Sequence, residues 1–471
     1  MTDELQARLT AAGQEHLVKH LAKLPKSQQK QLRAQLAEID LELLKRLTAQ
    51  VESTVDYQQL AALAEPPSAF RLPPAKNPWN LAQALAAGRA ALDSGQVGVL
   101  LVAGGQGSRL GFEHPKGMFP IGPVSHASLY QILCQGVLAA SKRHQQSVPL
   151  YVMTSPATHA ETEAYLKLHT RFGLPAKDVK LFMQGMLPAV DAATGQVLLA
   201  SPEDLALSPD GHGGLLGALV KNGLLDNAEQ RGLRYLYYLQ VDNPLVQIGD
   251  PEFLGYHILS GSEMSSQVIA KRSPTERVGN VVTIGNDTQI IEYSDLPAEQ
   301  ADRKTKEGEP IFWAGSIAVH VIDVAFLRRV ADSPEGLPFH RAHKKVSYFD
   351  PVTDEQVLPE APNALKFERF IFDLLPLASE AVVMEVDRAA IFAPVKNADE
   401  PGALDTPTTV KAQMAALYRS WLRAAGIDVN DDVAVEISPL VASSQTEFVQ
   451  KVQAGLIKVA SPVTAPLLID R

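Results

Sequence analysis

Leu100-Leu101-Val102-Ala103-Gly104-Gly105-Gln106-Gly107-Ser108-Arg109-Leu110-Gly111, followed by Pro115-Lys116-Gly117, is the stretch that decides how this chain folds. The apolar run Val97–Ala103 reads as a strand buried on both faces. It runs into a turn holding three glycines within four positions, then an arginine and a lysine. In an open α/β sheet, ligands bind beyond the carboxyl ends of the strands. Glycines there let backbone N–H groups approach a polyphosphate. Arg109 can grip phosphate oxygens with paired donors, and Lys116 adds a compact charge. Two commoner glycine loops fail on spacing. Counted from Gly105, the sixth position of a dinucleotide fingerprint would be Leu110 rather than glycine. A P-loop would follow its lysine with Ser or Thr, whereas Lys116 lies between Pro115 and Gly117.

Outward from this loop the pattern alternates. Ser128–Ser141 reads as helix, Leu150–Thr154 as strand, Ala157–Phe172 as helix and Val179–Gln184 as strand. Leu215–Asn222 and Asn227–Gly232 read as helices, and Tyr235–Val241 as strand. Such alternation predicts βαβ units and a mostly parallel sheet, hence an α/β fold. Val281–Ile284 and Ile290–Tyr293 read as a hairpin around residues 285–288, and the charged stretch 297–310 as an exposed loop. Upstream, Leu5, Leu9, Leu17, Leu21, Leu24 and then Leu32, Leu36, Ile39, Leu43, Leu47 recur at helical spacing. They do not keep a strict heptad, so packing onto the main body is expected over a coiled coil. Residues 66–78 carry five prolines and read as a linker or extended crossing segment. After about residue 400 a helix, Pro407–Ala425, and short strands suggest a small module. The expected organisation is a helical N-terminal region with the Pro-rich linker (1–92), a catalytic α/β domain (93–400) and a C-terminal module (401–471).

Composition excludes other classes. In 471 residues, 43 Lys plus Arg against 53 Asp plus Glu give a formal net charge of −10, opposite to the basic field expected of a nucleic-acid binder. The single cysteine, Cys134, rules out a disulfide framework and Cys-rich zinc sites, and is expected to be a small buried hydrophobe. No apolar run is long enough to span a bilayer, and the first residues lack a basic stretch followed by an apolar one. A cytoplasmic protein without a membrane partner is the expectation.

The loop resembles the pattern Leu-Ala-Gly-Gly-Gln-Gly-Thr-Arg-Leu-Gly, then Pro-Lys-Gly-Met, of the eukaryotic-type UDP-sugar pyrophosphorylases, in particular the UDP-N-acetylhexosamine branch. Further segments resemble that family in the same order: Phe182–Ala189, Ser208–Gly214, Val241-Asp242-Asn243, Val278-Gly279, Ile291–Ser294, Lys366–Asp373 and Val395–Asp399. The resemblance spans roughly residues 97–440. It implies a Rossmann-like nucleotidyltransferase domain. The implied reaction takes UTP and a sugar 1-phosphate, with Mg²⁺, to a UDP-sugar and pyrophosphate. The attacking phosphate oxygen is already anionic, so catalysis should rest on positioning and on cations that offset the meeting of two polyanions. The chain lacks a Gly-x-Ser-x-Gly elbow, consistent with a reaction that needs no protein nucleophile.

The resemblance also implies roles, position by position. Gly104, Gly105, Gly107 and Arg109 match the UTP loop, and Lys116 matches its phosphate lysine. Gln184 and Gly211 match residues that read the uracil. Asp242 matches a carboxylate that contacts the nucleotide and its Mg²⁺. Gly279, Glu292 and Tyr293 match the sugar pocket, and Lys366 and Lys396 match lysines that reach phosphates. Two sugar-side positions depart from the N-acetylhexosamine pattern. His212 stands where that branch usually carries Asn, the UDP-glucose enzymes having Gly-His-Gly at a comparable place, and Ser316 replaces a sugar-contacting Asn. The sugar is therefore open at this point between N-acetylglucosamine and glucose or galactose, as are a non-catalytic nucleotide-sugar-binding role and the oligomeric state, monomer or weak dimer.

Overall fold

The computed structural model describes residues 2–49, 57–72, 79–334 and 336–470. The larger of its two compact units comprises residues 56–183, 219–333 and 374–471, and the smaller comprises 1–55, 184–218 and 334–373.

The larger unit is built on a ten-stranded sheet. Its strands are β1 (Ala69–Phe70), β2 (Val97–Val102), β3 (Leu150–Thr154), β4 (Val179–Met183), β5 (Tyr235–Gln240), β6 (Met264–Ala270), β7 (Asn280–Ile284), β8 (Asp287–Ile291), β9 (Ala314–Asp323) and β10 (Ala381–Glu385). The spatial order is β1-β10-β6-β9-β5-β2-β3-β4, with the β7–β8 hairpin joined to β9. Strands β5, β2, β3 and β4 are parallel, as are β1, β10 and β6, while β9 runs antiparallel between β5 and β6. The apolar run 97–102 occupies the sheet interior, where both faces are covered. The hairpin turn is tighter than expected: Ile284 pairs directly with Asp287, leaving only Gly285 and Asn286 in the loop.

Several helices of the larger unit begin at side-chain caps. Asn80 and Gln83 form a reciprocal capping box for Leu81–Asp93, Ser128 caps Leu129–His144, and Thr406 with Thr409 caps Pro407–Ala424. The C-terminal helices and the parallel pair Val435–Ile437 with Leu467–Ile469 belong to the larger unit and share its core. Cys134 lies in that core, where burial pushes its thiol up to about 12. Of the proline-rich segment, Ala69–Phe70 forms edge strand β1, Phe70 stacks on Tyr256 and Arg71 lies 3.7 Å over the Trp313 ring. Residues 73–78 lie outside the described residues.

The smaller unit joins the N-terminal helices Thr2–Ala11, Glu15–Lys23, Lys26–Ala37 and Leu41–Ala49 to small sheets from 186–209 and 340–368. Leu9, Leu17, Leu21, Leu32, Leu36, Leu44 and Leu47 pack with Val190, Val197, Leu199, Phe349 and Phe367. The leucine stripe is thus one wall of a mixed core. Boundaries at 92/93 and 400/401 cut the chain in sequence, whereas each compact unit gathers three separated segments. The difference has a simple cause: the helices' apolar face is completed by residues more than a hundred positions downstream. No helix among the described residues is long and apolar enough to cross a membrane.

Candidate active site

The loop after β2 is laced to itself and to its neighbour strand. Lys116 N–H donates to Gly105 O (3.0 Å), Gly107 N–H to His114 O (2.9 Å), and Ser155 Oγ to Gly104 O (2.8 Å). A Cβ on Gly107 would lie 2.8 Å from the Phe112 ring and backbone, so only glycine fits this closure, whereas Gly105 faces open space. Arg109 lies exposed on the short turn Ser108–Leu110.

Lys116 is drawn inward. Its Nζ donates to Val395 O at 3.2 Å, and Val395 N–H donates to Asp242 O at 2.9 Å. Burial holds the Lys116 ammonium below the usual lysine range. Asp242 pulls it up, and Lys396 and Arg109 push it further down. The structure therefore gathers Arg109, Lys116, Asp242 and Lys396, from three distant parts of the chain, into one electrostatic neighbourhood. Asp242 follows β5, whose ladder with β2 extends through Val241 N–H to Val102 O (3.0 Å). Its neighbour Asn243 is the latch that the sequence reading passed over. The buried Asn243 side chain donates to Ile391 O (2.9 Å) and accepts from Ala393 N–H (3.1 Å) and Leu245 N–H (3.2 Å). It fastens the segment carrying Val395 and Lys396 beside Asp242. The visible signal was the amide directly after the strand-end carboxylate.

No group of three or more His, Cys, Asp or Glu able to hold a metal occurs among the described residues. The oxygen donor of Asp242 suits Mg²⁺, which keeps several waters and takes substrate phosphates as further ligands.

A second cluster in the larger unit joins Gly279, Glu292 and Ser316. Ser316 N–H donates to Gly279 O (2.8 Å), and a Cβ on Gly279 would lie 3.2 Å from Glu292 Oε1 and 2.9 Å from Ile290 Cγ2. Tyr293, next to Glu292, is 48% exposed. Lys271 Nζ supports this corner by donating to Asn280 Oδ1 (2.5 Å) and Pro274 O (2.9 Å).

Gln184, Gly211, His212 and Lys366 belong to the smaller unit. There the loops at 210–214 and 369–373 are stitched through Arg369 N–H to Asp210 O and Gly213 N–H to Arg369 O, both 2.8 Å. Gly211 has φ +80°, and a Cβ on it would lie 2.3 Å from Arg369 O. His212 Nδ1 accepts the Ile371 N–H at 3.1 Å, which leaves the ring proton on Nε2. Burial pushes the His212 imidazole down to about 4, and the neighbouring His340 pushes the same way. The ring is therefore neutral near pH 7 and offers a fixed Nε2–H donor beside Phe370 and Phe372. Lys366 sits on the strand Ala364–Glu368, and Gln184 precedes the strand Met186–Pro188.

Comparison with known proteins agrees with this chemistry. Residues 29–462 match the family model described as UTP–glucose-1-phosphate uridylyltransferase. The chain is 40% identical over 359 residues to the UDP-N-acetylglucosamine pyrophosphorylase of Saccharomyces cerevisiae, covering 74% of this chain and 75% of that protein. It is 35% identical over 442 residues to the UDP-N-acetylhexosamine pyrophosphorylase-like protein 1 of Homo sapiens, covering 90% and 86%. Among solved structures, the uridine diphosphate N-acetylglucosamine pyrophosphorylase of Trypanosoma brucei superposes with a TM-score of 0.80 at 25% identity, over 100% of this chain and 98% of that one.

Proposed function

The chain belongs to the UTP–glucose-1-phosphate uridylyltransferase family, and we propose that it joins UTP to N-acetylglucosamine 1-phosphate, releasing pyrophosphate and UDP-N-acetylglucosamine. The observation that carries the reading is the gathering of Arg109, Lys116 and Lys396 about Asp242. The choice of sugar rests on the yeast and trypanosome relatives.

In the proposed reaction a phosphate oxygen of the sugar 1-phosphate attacks the α-phosphorus of UTP. A new P–O bond forms as the α–β bridging bond breaks, and the bridging oxygen leaves with pyrophosphate. Arg109, Lys116 and Lys396 hold the phosphates and offset the charge of two approaching polyanions. At ~4 Å and an intermediate dielectric, one such cation is worth up to about 4 kcal/mol. Burial is the chief cause of the lowered proton affinity of Lys116, and a bound phosphate beside it would favour the charged ammonium. Asp242 would hold Mg²⁺, and the ion when bound would supply positive charge to offset that on the departing group. Glu292 and Gly279 would receive the sugar with Ser316, and His212 would offer its neutral Nε2–H. Gln184, Gly211 and Lys366 would bind the nucleotide. These roles rest on the motif matches.

The test is pyrophosphate release from UTP and Mg²⁺ with N-acetylglucosamine, N-acetylgalactosamine, glucose and galactose 1-phosphates side by side. N-acetylglucosamine 1-phosphate should lead, and chelating the Mg²⁺ should stop release. A lead for glucose or galactose 1-phosphate would overturn the sugar assignment, and silence with all four would overturn the catalytic reading.

A further inference from the structure

Lys396 reaches its target on a flexible four-carbon stem, so where its backbone sits decides where its charge lands. One side of that backbone is held through Val395, tied to Asp242 and Lys116. The other side is closed by Asp405, a residue that no motif singled out. The Asp405 carbonyl accepts the N–H of Lys396 at 2.7 Å and of Asn397 at 3.2 Å, and Asn397 Nδ2 donates to Leu404 O at 2.9 Å. To aim its carbonyl back, Asp405 stands at φ +57°, in the left-handed region that Asp and Asn enter most readily among non-glycine residues. The turn is rooted, because the next residue, Thr406, caps the helix Pro407–Ala424.

The side chain has its own setting. The half-buried Asp405 carboxylate shares one electrostatic field with Lys396, Arg272 and Arg388 and with Glu276 as a second carboxylate, though burial outweighs the cations and raises its proton affinity. Glu276 is already engaged, pairing with Arg388 at 2.8 Å and accepting the Arg272 N–H at 2.7 Å. Three cations thus meet two carboxylates. A plain helix-entry turn would call for the backbone shape but not for a carboxylate facing cations.

We propose that Asp405 is a positioning residue for Lys396: its left-handed turn clips the Lys396 and Asn397 amides, and its carboxylate offsets the cations gathered around them. The proposal rests on the reading of Lys396 as a phosphate-binding lysine.

A double-mutant cycle tests it. Wild type, Asp405→Asn, Asp405→Val, Lys396→Ala and the two double variants are compared for pyrophosphate release, for UTP affinity by calorimetry and for melting temperature. Valine resists the left-handed turn and should lower turnover about 10²-fold through misplacement of the lysine. Asparagine keeps the turn but loses the charge, and should cost about threefold to tenfold. Neither change should lower the rate further once Lys396 is alanine, whereas a merely structural role would give the same loss in both backgrounds. Wild-type rates in both Asp405 variants, or losses that persist undiminished without Lys396, overturn the proposal. If the valine variant melts early, the asparagine cycle decides alone. A wild-type chain without turnover sinks the catalytic reading, yet the same cycle on UTP affinity still judges whether Asp405 acts through Lys396. Weakening by Asp405→Asn only when Lys396 is present supports it, and weakening in both backgrounds defeats it.

Discussion

Around Lys116, burial, a carboxylate and two further cations act on one ammonium; around His212, two interlocked loops hold an uncharged ring. The first region draws on residues near 109, 116, 242 and 396, held by a few long-range bonds to backbone carbonyls. The second draws on two short loops whose backbones touch so closely that Gly211 admits no Cβ. A site that must offset developing negative charge gains from cations already fixed where that charge will appear. A site that must tell one neutral group from another gains from a donor whose protonation and direction do not vary. On the proposed function, the contrast would separate a region governing rate from one governing selectivity.

The strongest challenge to that division is Lys116→Ala. It should lower turnover by about 10²–10³-fold with every sugar 1-phosphate alike, as losing one preorganised donor does elsewhere. A loss confined to one sugar would break the comparison at its charged end. Next in size is His212→Leu, which keeps an apolar volume and removes the Nε2–H. The ratio of kcat/KM between N-acetylglucosamine and glucose 1-phosphates should move by about 10²-fold, since a polar partner is left unpaired. An equal fall for both sugars would place His212 with the rate-governing groups.

The smallest effect is one of stability. The His212 pKa is depressed from 6.5 to about 4, so the folded chain binds fewer protons than the unfolded chain between those values. Its contribution therefore falls as pH drops below 6.5 and levels out near 4. Asp210 opposes this, because burial raises its carboxyl to about 6. Comparing wild type with His212→Asn isolates the histidine. On acidifying from pH 7 to 5.5, wild type should lose about 1 kcal/mol more than the variant, roughly 1 °C in melting temperature. Parallel melting curves would mean that His212 is freely protonated in the folded chain.

Much of the charged region was legible in the sequence because its signals are local. An apolar strand, three glycines, an arginine and a lysine occupy twenty consecutive positions, and Asp242 ends a strand visible in its own seven residues. The motif matches supplied Lys396 and the sugar-side set, and the structure brings Gly279, Glu292 and Ser316 together. What stayed hidden depends on distance or on backbone angle. Nothing near Asn243 in sequence reveals Ile391 and Ala393 as its partners. A positive φ at Asp405 leaves no mark in composition. The split of the chain into interleaved units was hidden for the same reason, since the leucines of residues 5–47 look alike whatever covers them.

That interleaving has a consequence for how the protein is made. The N-terminal helices leave the ribosome first, but the sheets that cover their leucines are complete only when residue 373 has emerged, roughly 320 residues later. At about 5–20 residues per second, the nascent chain carries an uncovered apolar stripe for roughly 16–65 s. These helices thus wait longest of their unit for shelter, and are its part most exposed to chaperones during synthesis.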